Sequence, residues 1–211
     1  MTLDIRPPLP ELIARIGRLA RVTEGRVILG IAGPPGVGKT MIAEALIAGL
    51  LGASVAHLPL DGFHLADVEL DRLGRRGRKG APDTFDVAGY LSALARIRDG
   101  ESVVYAPSFE RTLEQPIAGA LPIRAAAEVI VTEGNYLLLD RPEWMAARRL
   151  MTEVWYAETA EALRQERLVR RHETFGKSPA EALVWARGPD QRNAELVGAT
   201  RDRADLVVSV R

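Results

Sequence analysis

A phosphate-binding motif is the part of this sequence whose residue types and spacing point most directly to chemistry. Residues 33–40 match the pattern G-x-x-x-x-G-K-[ST] at every fixed position. In that pattern the loop N–H groups surround phosphate oxygens, the lysine reaches the β- and γ-phosphates, and the hydroxyl binds Mg²⁺. We therefore predict an ATP site with Thr40 on the metal and Lys39 in catalysis. The predicted ATP-binding residues are Gly33, Pro34, Pro35, Gly36, Val37, Gly38, Lys39 and Thr40.

Two carboxylates follow apolar runs elsewhere in the chain. Asp61 comes after the run at residues 54–60, and Glu133 after the run at residues 128–132. Phosphoryl transfer needs one carboxylate to accept the proton of the acceptor hydroxyl and another to help hold Mg²⁺. We assign the first role to Asp61 and the second to Glu133, and the residues leave an exchange of the two roles open. An Asp-Gly turn is the structural alternative for Asp61.

Basic residues cluster in two further places. Residues 75–79 form a basic, glycine-rich loop, for which a solvated surface is the plain alternative. The second cluster lies on a predicted helix, where arginines spaced three and four residues apart share one face. These are Arg164, Arg167 and Arg171, for which ordinary solvated charge is the alternative. In a kinase a lid helix supplies arginines to the transferring phosphoryl group, and this place in the chain suits such a lid, at about residues 164–190. His64, three residues after Asp61, is a candidate substrate contact.

Strands alternate with helices along the chain, and this order positions the candidate residues. A β-branched run at residues 26–32 precedes the phosphate motif, and a helix follows it to about Leu51. Such alternation predicts an α/β fold with a mainly parallel sheet covered on both faces, in which ligands bind beyond the carboxyl ends of the strands. We predict one domain over residues 1–211.

Four local predictions can be compared directly with a structure. Asp86 should cap a helix from Val87 to about Arg98. A short strand at residues 103–105 should end at Pro107, and residues 108–122 should be irregular with a small hairpin around Gly119. A long helix should begin at a Thr159 cap.

Composition excludes several classes of protein. Lys and Arg total 28, as do Asp and Glu, so the net charge gives no indication of a nucleic-acid partner. Cysteine is absent, which excludes disulfides and thiolate metal sites. The sequence shows neither a signal-peptide core at residues 1–8 nor an apolar stretch of membrane-spanning length, so we predict a cytoplasmic protein without a membrane partner.

The ordered set of motifs resembles a group of small-molecule kinases. Besides the phosphate motif, the set comprises Asp-Gly-Phe-His at residues 61–64, residues 78–86, and Glu-Gly-Asn-Tyr-Leu-Leu at residues 133–138. These runs resemble uridine kinase, phosphoribulokinase and bacterial type I pantothenate kinase. Residues 105–111 and the compact length look most like bacterial proteins labelled nucleoside/nucleotide kinase family or fructose transport system kinase. The resemblance covers about residues 25–210.

The resemblance implies a P-loop NTPase fold, a three-layer α/β/α arrangement with a helical lid. It implies transfer of the ATP γ-phosphoryl group to a hydroxyl of a sugar such as fructose, a nucleoside or a pantothenate-like acceptor, with ATP and Mg²⁺ as cofactors. A homodimer is left open. Arg170 or Arg171 resembles the lid arginine of the group, which makes both of them catalytic candidates. The residues that it assigns to the acceptor are Asp61, His64, Lys79, Asp86, Phe109, Arg111 and Asn193. The segment after Phe63 and the lid at residues 173–176 depart from the group's patterns, and these departures concern the acceptor more than the reaction.

Two other functional classes compete with a kinase. A GTPase should contain an Asn-Lys-x-Asp motif, and a transporter ATPase a Leu-Ser-Gly-Gly-Gln motif, and the sequence has neither. A nucleotide-binding regulatory module without catalysis, or a P-loop ATPase, remains the alternative. The intact set of Lys39, Thr40, Asp61 and Glu133 argues against a decayed site.

Overall fold

The computed structural model describes residues 4–50 and 54–211. Its helices are α1 (Leu9–Val22), α2 (Lys39–Gly49), α3 (Asp67–Arg72), α4 (Val87–Arg98), α5 (Pro142–Arg148), α6 (Glu161–Thr174), α7 (Pro179–Arg187) and α8 (Pro189–Gly198). Its strands are β1 (Ile5–Arg6), β2 (Val27–Ala32), β3 (Val55–Pro59), β4 (Val103–Glu110), β5 (Gln115–Arg124), β6 (Val129–Gly134), β7 (Glu153–Glu158) and β8 (Leu206–Val210). The predicted helix end at Leu51 lies outside the described residues.

Six strands form the central sheet in the order β1-β8-β7-β2-β6-β3. Each neighbouring pair is parallel except β1 with β8, so the sheet is mainly parallel, as predicted. The register sets Glu133 of β6 level with Ile31 of β2 and Pro59 of β3. The loops that follow β2 and β3 therefore begin beside Glu133, at one edge of the sheet.

Helices cover both faces of this sheet, and each face has its own apolar core. Side chains that alternate along β2 and β6 point to opposite faces, because successive residues of a strand do so. On one face the sheet packs against α4 and α5, with Tyr90 and Trp144 fully buried. On the other face it packs against α1 and α2, through Ile16 and Leu46. This confirms the three-layer α/β/α arrangement. No helix in the described ranges is long and apolar enough to cross a membrane.

A two-stranded hairpin lies outside the central sheet, and here two sequence predictions are wrong. β4 continues through Pro107 to Glu110, because the pairing with β5 shifts register between Ala106 and Ser108 and does not require an N–H from the proline. The chain turns at residues 111–114, where Glu114 has a φ of +52°, and not around Gly119, which lies within β5. The pairing of β4 with β5 determines where the chain turns, and a single glycine does not.

Helix boundaries follow the sequence in one case and depart from it in another. Asp86 caps α4 as predicted, since its carboxylate accepts a hydrogen bond from the N–H of Gly89 at 2.8 Å. Thr159 does not cap α6, which begins two residues later, and its hydroxyl donates instead to the carbonyl of Val210 at 2.7 Å. The short helix α3 was not predicted.

Candidate active site

One cavity of about 520 Å³ opens at the carboxyl ends of β2, β3 and β6. It is lined by most of the sequence-predicted site residues, which come from seven separate parts of the chain. They are Pro35, Gly36, Gly38, Lys39, Thr40, Asp61, His64, Lys79, Phe109, Arg111, Glu133, Arg170, Arg171 and Asn193. Asp86 is exposed and is not among the described residues that line the cavity. Its carboxylate caps α4 instead.

The phosphate loop has a backbone shape that only glycine adopts readily. Gly33, Gly36 and Gly38 have φ values of +152°, +82° and +103°, in a region that side chains disfavour. A Cβ at Gly36 would also lie 2.8 Å from the carbonyl oxygen of Arg164. Gly38 precedes the first turn of α2, whose free N–H groups and positive dipole end face the loop. The loop is therefore built to surround an anion.

Lys39 extends from the first residue of α2 back across the loop. Its Nζ donates to the carbonyls of Gly33 and Pro34 at 3.0 and 3.2 Å, and to Oδ1 of Asn135 at 2.7 Å. Burial lowers the pKa of Lys39 to about 8, against the opposing charges of Glu133 and Asp61. The ammonium is therefore still mostly protonated at neutral pH, and an incoming anion would favour that form further. Asn135 is a contact that the sequence interpretation missed.

Glu133 lies beside the hydroxyl of Thr40. The Thr40 Oγ1 donates to Oε1 of Glu133 at 3.2 Å, and Glu133 is only 4% exposed. Burial and the negative charge of Asp61 together outweigh the positive charge of Lys39 and raise the pKa of Glu133 to about 6. A hydroxyl and a carboxylate oxygen are ligands that Mg²⁺ accepts. This pair fits the predicted metal role of Thr40 and Glu133.

The raised pKa of Glu133 predicts a change in stability when its charge is removed. The folded protein binds this proton more tightly than the unfolded chain, whose carboxyl titrates near 4.5. Glu133 therefore favours folding below about pH 4.5, and this contribution is lost as the pH rises through about 6. We expect Glu133→Gln to become more stable than the wild type over this window, by about 1–2 kcal/mol at its upper end.

Chemical denaturation of both proteins in EDTA, from pH 4 to 8, measures this difference without a bound metal. The difference should level off above about pH 7.5, because glutamine does not titrate and Glu133 is then almost fully ionised. If the wild type instead became more stable relative to Glu133→Gln as the pH rose, Glu133 would not carry an uncompensated buried charge.

Asp61 faces the same space as Glu133 but in the opposite electrostatic setting. Its Oδ2 accepts a hydrogen bond from Arg111 at 2.7 Å. Burial alone would raise the pKa of Asp61, but the positive charges of His64, Arg111 and Lys39 outweigh it and lower the pKa to about 2. Burial lowers the pKa of His64, so this ring is mostly neutral near pH 7. Arg111 and Lys39 therefore supply the positive charge beside Asp61 at neutral pH. Asp61 is therefore ionised throughout the physiological range.

Gly62, which follows Asp61, is required for close packing against β4 as well as for a turn. A Cβ at Gly62 would lie 2.2 Å from the carbonyl oxygen of Pro107, so β4 can pass over this residue only because it is glycine. The contact brings the end of β4 to the cavity and places Arg111 beside Asp61. The hairpin outside the sheet therefore supplies a wall of the site.

Lys79 and Phe109 form another part of the cavity wall. The Lys79 Nζ donates to Oδ1 of Asp67 at 2.7 Å and lies 5.4 Å from the centre of the Phe109 ring. Arg111 lies 5.5 Å from the same ring. Asn193 of α8 donates to the carbonyl of Gly80 at 3.3 Å, so it holds the basic loop and also lines the cavity. Residues from three distant segments thus share one surface.

The first residue of the predicted lid is fixed in the interior. Arg164 is 2% exposed, and its Nη1 donates to the carbonyl of Pro35 in the phosphate loop at 3.1 Å. Its remaining N–H groups bind Glu161 of its own helix and Gln191 of α8. Arg164 is therefore not a surface charge, and it ties α6 and α8 to the loop backbone.

The two candidate lid arginines differ in their surroundings. Arg170 lines the cavity too, but its side chain is 77% exposed and pairs with Glu166 at 3.0 Å. Arg171 has no carboxylate partner within 4 Å among the described residues, and its charge lowers the pKa of both Lys39 and Asp61. His172, the next residue, binds Asp190 at 2.7 Å and so joins α6 to α8. Arg171 is the arginine that faces the two reactive groups.

Known proteins share this chain's sequence and fold. A protein of Schizosaccharomyces pombe named as a candidate uridine kinase is 32% identical over 196 residues, which are 87% of this chain and 83% of that protein. A solved structure described as a candidate fructose transport system kinase, from Silicibacter sp. TM1040, is 33% identical, with a TM-score of 0.87 over 95% of this chain and 98% of that one. The chain belongs to the P-loop small-molecule kinases. A pantothenate kinase of Clavibacter sepedonicus is 29% identical over 222 residues, 92% of this chain and 69% of that protein.

No family model matches the chain. The resemblance stated from the motifs is nevertheless confirmed, because relatives named for uridine, pantothenate and fructose-system kinases all align along most of this P-loop kinase. The chain is thus a small-molecule phosphotransferase. Its relatives carry names for different acceptors, so its own acceptor has to be argued from the site.

Proposed function

We propose that this protein transfers the γ-phosphoryl group of ATP to a hydroxyl of a small metabolite, with Mg²⁺ bound. The observation that carries the proposal is the placement of Lys39, Thr40, Asp61, Glu133 and Arg171 around one cavity at the carboxyl edge of the sheet. Each of these side chains has a separate task in phosphoryl transfer.

The loop and the Thr40–Glu133 pair support binding of ATP with Mg²⁺. Three glycines with positive φ leave the loop N–H groups clear for phosphate oxygens, and the dipole of α2 adds positive potential there. Thr40 and Glu133 would hold the metal. When bound, Mg²⁺ would neutralise charge that develops on the β- and γ-phosphate oxygens. Lys39 would exchange its hydrogen bonds to the loop carbonyls for hydrogen bonds to phosphate oxygens. Its Nζ already lies at the loop, so phosphate oxygens bound there would be within its reach.

Asp61 is suited to orient the acceptor hydroxyl and to take its proton. Its carboxylate is ionised at neutral pH and lies in the cavity beside Arg111. The transition state of phosphoryl transfer is loose, so the hydroxyl becomes strongly acidic only once its oxygen bonds to phosphorus. A carboxylate with a low pKa can accept the proton at that late stage. Glu133 is less suited to this task because it already binds the hydroxyl of Thr40.

Arg171 would stabilise the charge on the transferring group, and this leads to a paired prediction. We expect Arg171→Ala to lower kcat by about 10²- to 10³-fold while ATP affinity falls much less, because its charge acts mainly on the transition state. Arg170→Ala, on the next residue of the same helix, should stay within about threefold of the wild type, since its partner is Glu166 at the surface.

Steady-state kinetics and ATP titration of the two variants check this prediction. The two substitutions remove the same group from adjacent positions, so a general effect on α6 would appear in both. Equal losses, or a larger loss for Arg170→Ala, would contradict the assignment of Arg171. Hydrogen exchange should also show residues 167–178 more protected when a non-hydrolysable ATP analogue and an acceptor are bound.

The experiment that tests the proposed reaction is a phosphorylation screen of a metabolite library with ATP, Mg²⁺ and mass detection. A kinase transfers phosphate to particular acceptors and consumes little ATP without them, because a closed site excludes water. ATP turnover at the same rate with and without every acceptor would indicate a P-loop ATPase. ATP binding without turnover would indicate a regulatory module.

A further inference from the structure

The two ends of the cavity differ in how their charges are paired. The phosphate end consists of the loop and the side of α6 that faces it, together with Lys177. The acceptor end consists of the residues around Asp61 and the hairpin. Its members are Asp61, His64, Arg76, Lys79, Phe85, Phe109, Arg111 and Glu114.

Each cation of the acceptor end already has a carboxylate partner. Arg111 binds Asp61 at 2.7 Å, and Lys79 binds Asp67 at 2.7 Å. Arg76 binds the other oxygen of Asp67, also at 2.7 Å. These pairs are partly shielded from solvent, and the Lys79 side chain is only 12% exposed. The positive charges at this end are therefore committed to the protein's own acids before any substrate arrives.

Most cations of the phosphate end are in the opposite condition, and exposed Arg170, which pairs with Glu166, is the exception. Lys39, Arg167, Arg171 and Lys177 line the cavity, and none has a carboxylate within 4 Å in residues 4–50 or 54–211. Lys39 and Arg167 donate to backbone carbonyls, and Lys177 lies over the ring of Trp185 at 5.0 Å. Unpaired cations in a cleft favour a polyanionic ligand, and a triphosphate is such a ligand.

The acceptor end also contains an acid and a cluster of three rings that are tilted against one another. Glu114 has no cationic partner within 4 Å among the described side chains, and its charge is one of those that raise the pKa of Arg111 against the effect of burial. The His64 ring packs against those of Phe85 and Phe109, with centre-to-centre distances of 4.0 and 5.0 Å. Aromatic side chains beside a few hydrogen-bonding groups are typical of sites for compact small molecules.

We propose that the acceptor is an uncharged polyhydroxylated molecule, such as a sugar or a nucleoside, and not a hydroxy acid or a phosphate ester. The inference rests on the proposed kinase function and adds the class of acceptor. An anionic acceptor would have to share Arg111 with Asp61 or Lys79 with Asp67, so its charge would lie beside carboxylates that already use these cations. Neutral hydroxyls donate to Asp61 and accept from Arg111 without separating either pair.

Matched acceptor pairs test this inference. Each pair shares a candidate reacting hydroxyl, and the second member adds negative charge: pantothenol and pantothenate, and uridine and uridine 3′-monophosphate, whose phosphate carries about −1.5 to −2 near pH 7. We expect the neutral member to have at least about a tenfold higher kcat/KM in every pair that reacts. A higher kcat/KM for the anionic members would overturn the inference and leave the kinase function standing. Failure of every acceptor in these pairs and in the wider library, with ATP bound, would overturn the proposed function itself.

Substitution of Glu114 separates charge from shape. Glu114→Gln removes the unpaired acid, so the preference for the neutral member should fall by about threefold or more. Glu110→Gln is the matched control, because Glu110 is exposed on the same hairpin and its carboxylate binds Thr112 alone among the described residues. It should leave the preference unchanged. A preference that does not respond to Glu114→Gln, or that responds equally to both substitutions, would contradict the electrostatic argument.

Discussion

We expect Lys39→Ala to lower ATP-dependent phosphorylation by at least about a thousandfold. Lys39 is one of three lysines in the chain and the only one in the phosphate loop. Its ammonium is held by three oxygens at the base of the cavity, which fixes the charge where the β- and γ-phosphates would lie. A preorganised charge in a water-excluded site stabilises a transition state far more than the same charge at the surface.

Arg18→Ala provides a matched control, because it removes an exposed cation from α1 far from the cavity. That variant should retain wild-type turnover. Lys39→Ala should still unfold cooperatively, since the backbone bonds of α2 do not depend on the side chain. Near-normal turnover by folded Lys39→Ala would refute the phosphate-loop assignment, whatever the acceptor. Thr40→Ala should also cause a large loss, and excess Mg²⁺ should offset part of it.

The sequence was sufficient to predict the sheet and the phosphate loop because both depend on local patterns. The run before the loop has no polar side chain from Val27 to Ala32, as a central parallel strand requires, and β2 is buried throughout. The glycines that the motif demands are those with positive φ. Asp86 was found as a cap for the same reason, since capping is a contact between residues three apart.

Contacts between distant residues explain where the sequence interpretation failed. Pro107 breaks strands by its local chemistry, but the register shift against β5 removes the need for its N–H. The burial of Arg164 depends on a carbonyl 129 positions earlier, at Pro35. No pattern within α6 distinguishes Arg164 from Arg171, although the first is structural and the second faces the reactive groups. Such differences arise only when the loop, α6 and α8 pack together.

The electrostatic difference between Asp61 and Glu133 also depends on contacts between distant residues. Both are carboxylates near strand ends, and the sequence left an exchange of their roles open. In the structure Glu133 is buried in the sheet and its pKa is raised to about 6, whereas Arg111 helps to lower that of Asp61 to about 2. Arg111 comes from the hairpin that the sequence interpretation placed incorrectly. The distinction between the two acids therefore depends on the element that was hardest to predict.

This distinction leads to a second prediction with a large effect. We expect Asp61→Asn to lower kcat by about two to four orders of magnitude, which is the usual range for loss of a general base. Asparagine keeps the size of the side chain and can still accept a hydrogen bond from Arg111, so the hairpin should stay in place. It cannot take the proton of the acceptor hydroxyl. ATP affinity should change by less than about threefold, because Asp61 lies beside the acceptor end and not in the phosphate loop.

Comparison with Glu133→Gln makes the assignment decisive. If Glu133 holds the metal, its substitution should raise the Mg²⁺ concentration needed for half-maximal rate by about tenfold or more. Asp61→Asn should leave that concentration unchanged. Titration of Mg²⁺ and ATP against both variants, with single-turnover rates at saturation, separates the two effects. If Asp61→Asn instead raises the Mg²⁺ requirement and Glu133→Gln lowers only the rate, the roles are exchanged. The hydroxyl bond between Thr40 and Glu133 argues for the first outcome, since it places both predicted metal ligands 3.2 Å apart and leaves Asp61 free to face the acceptor.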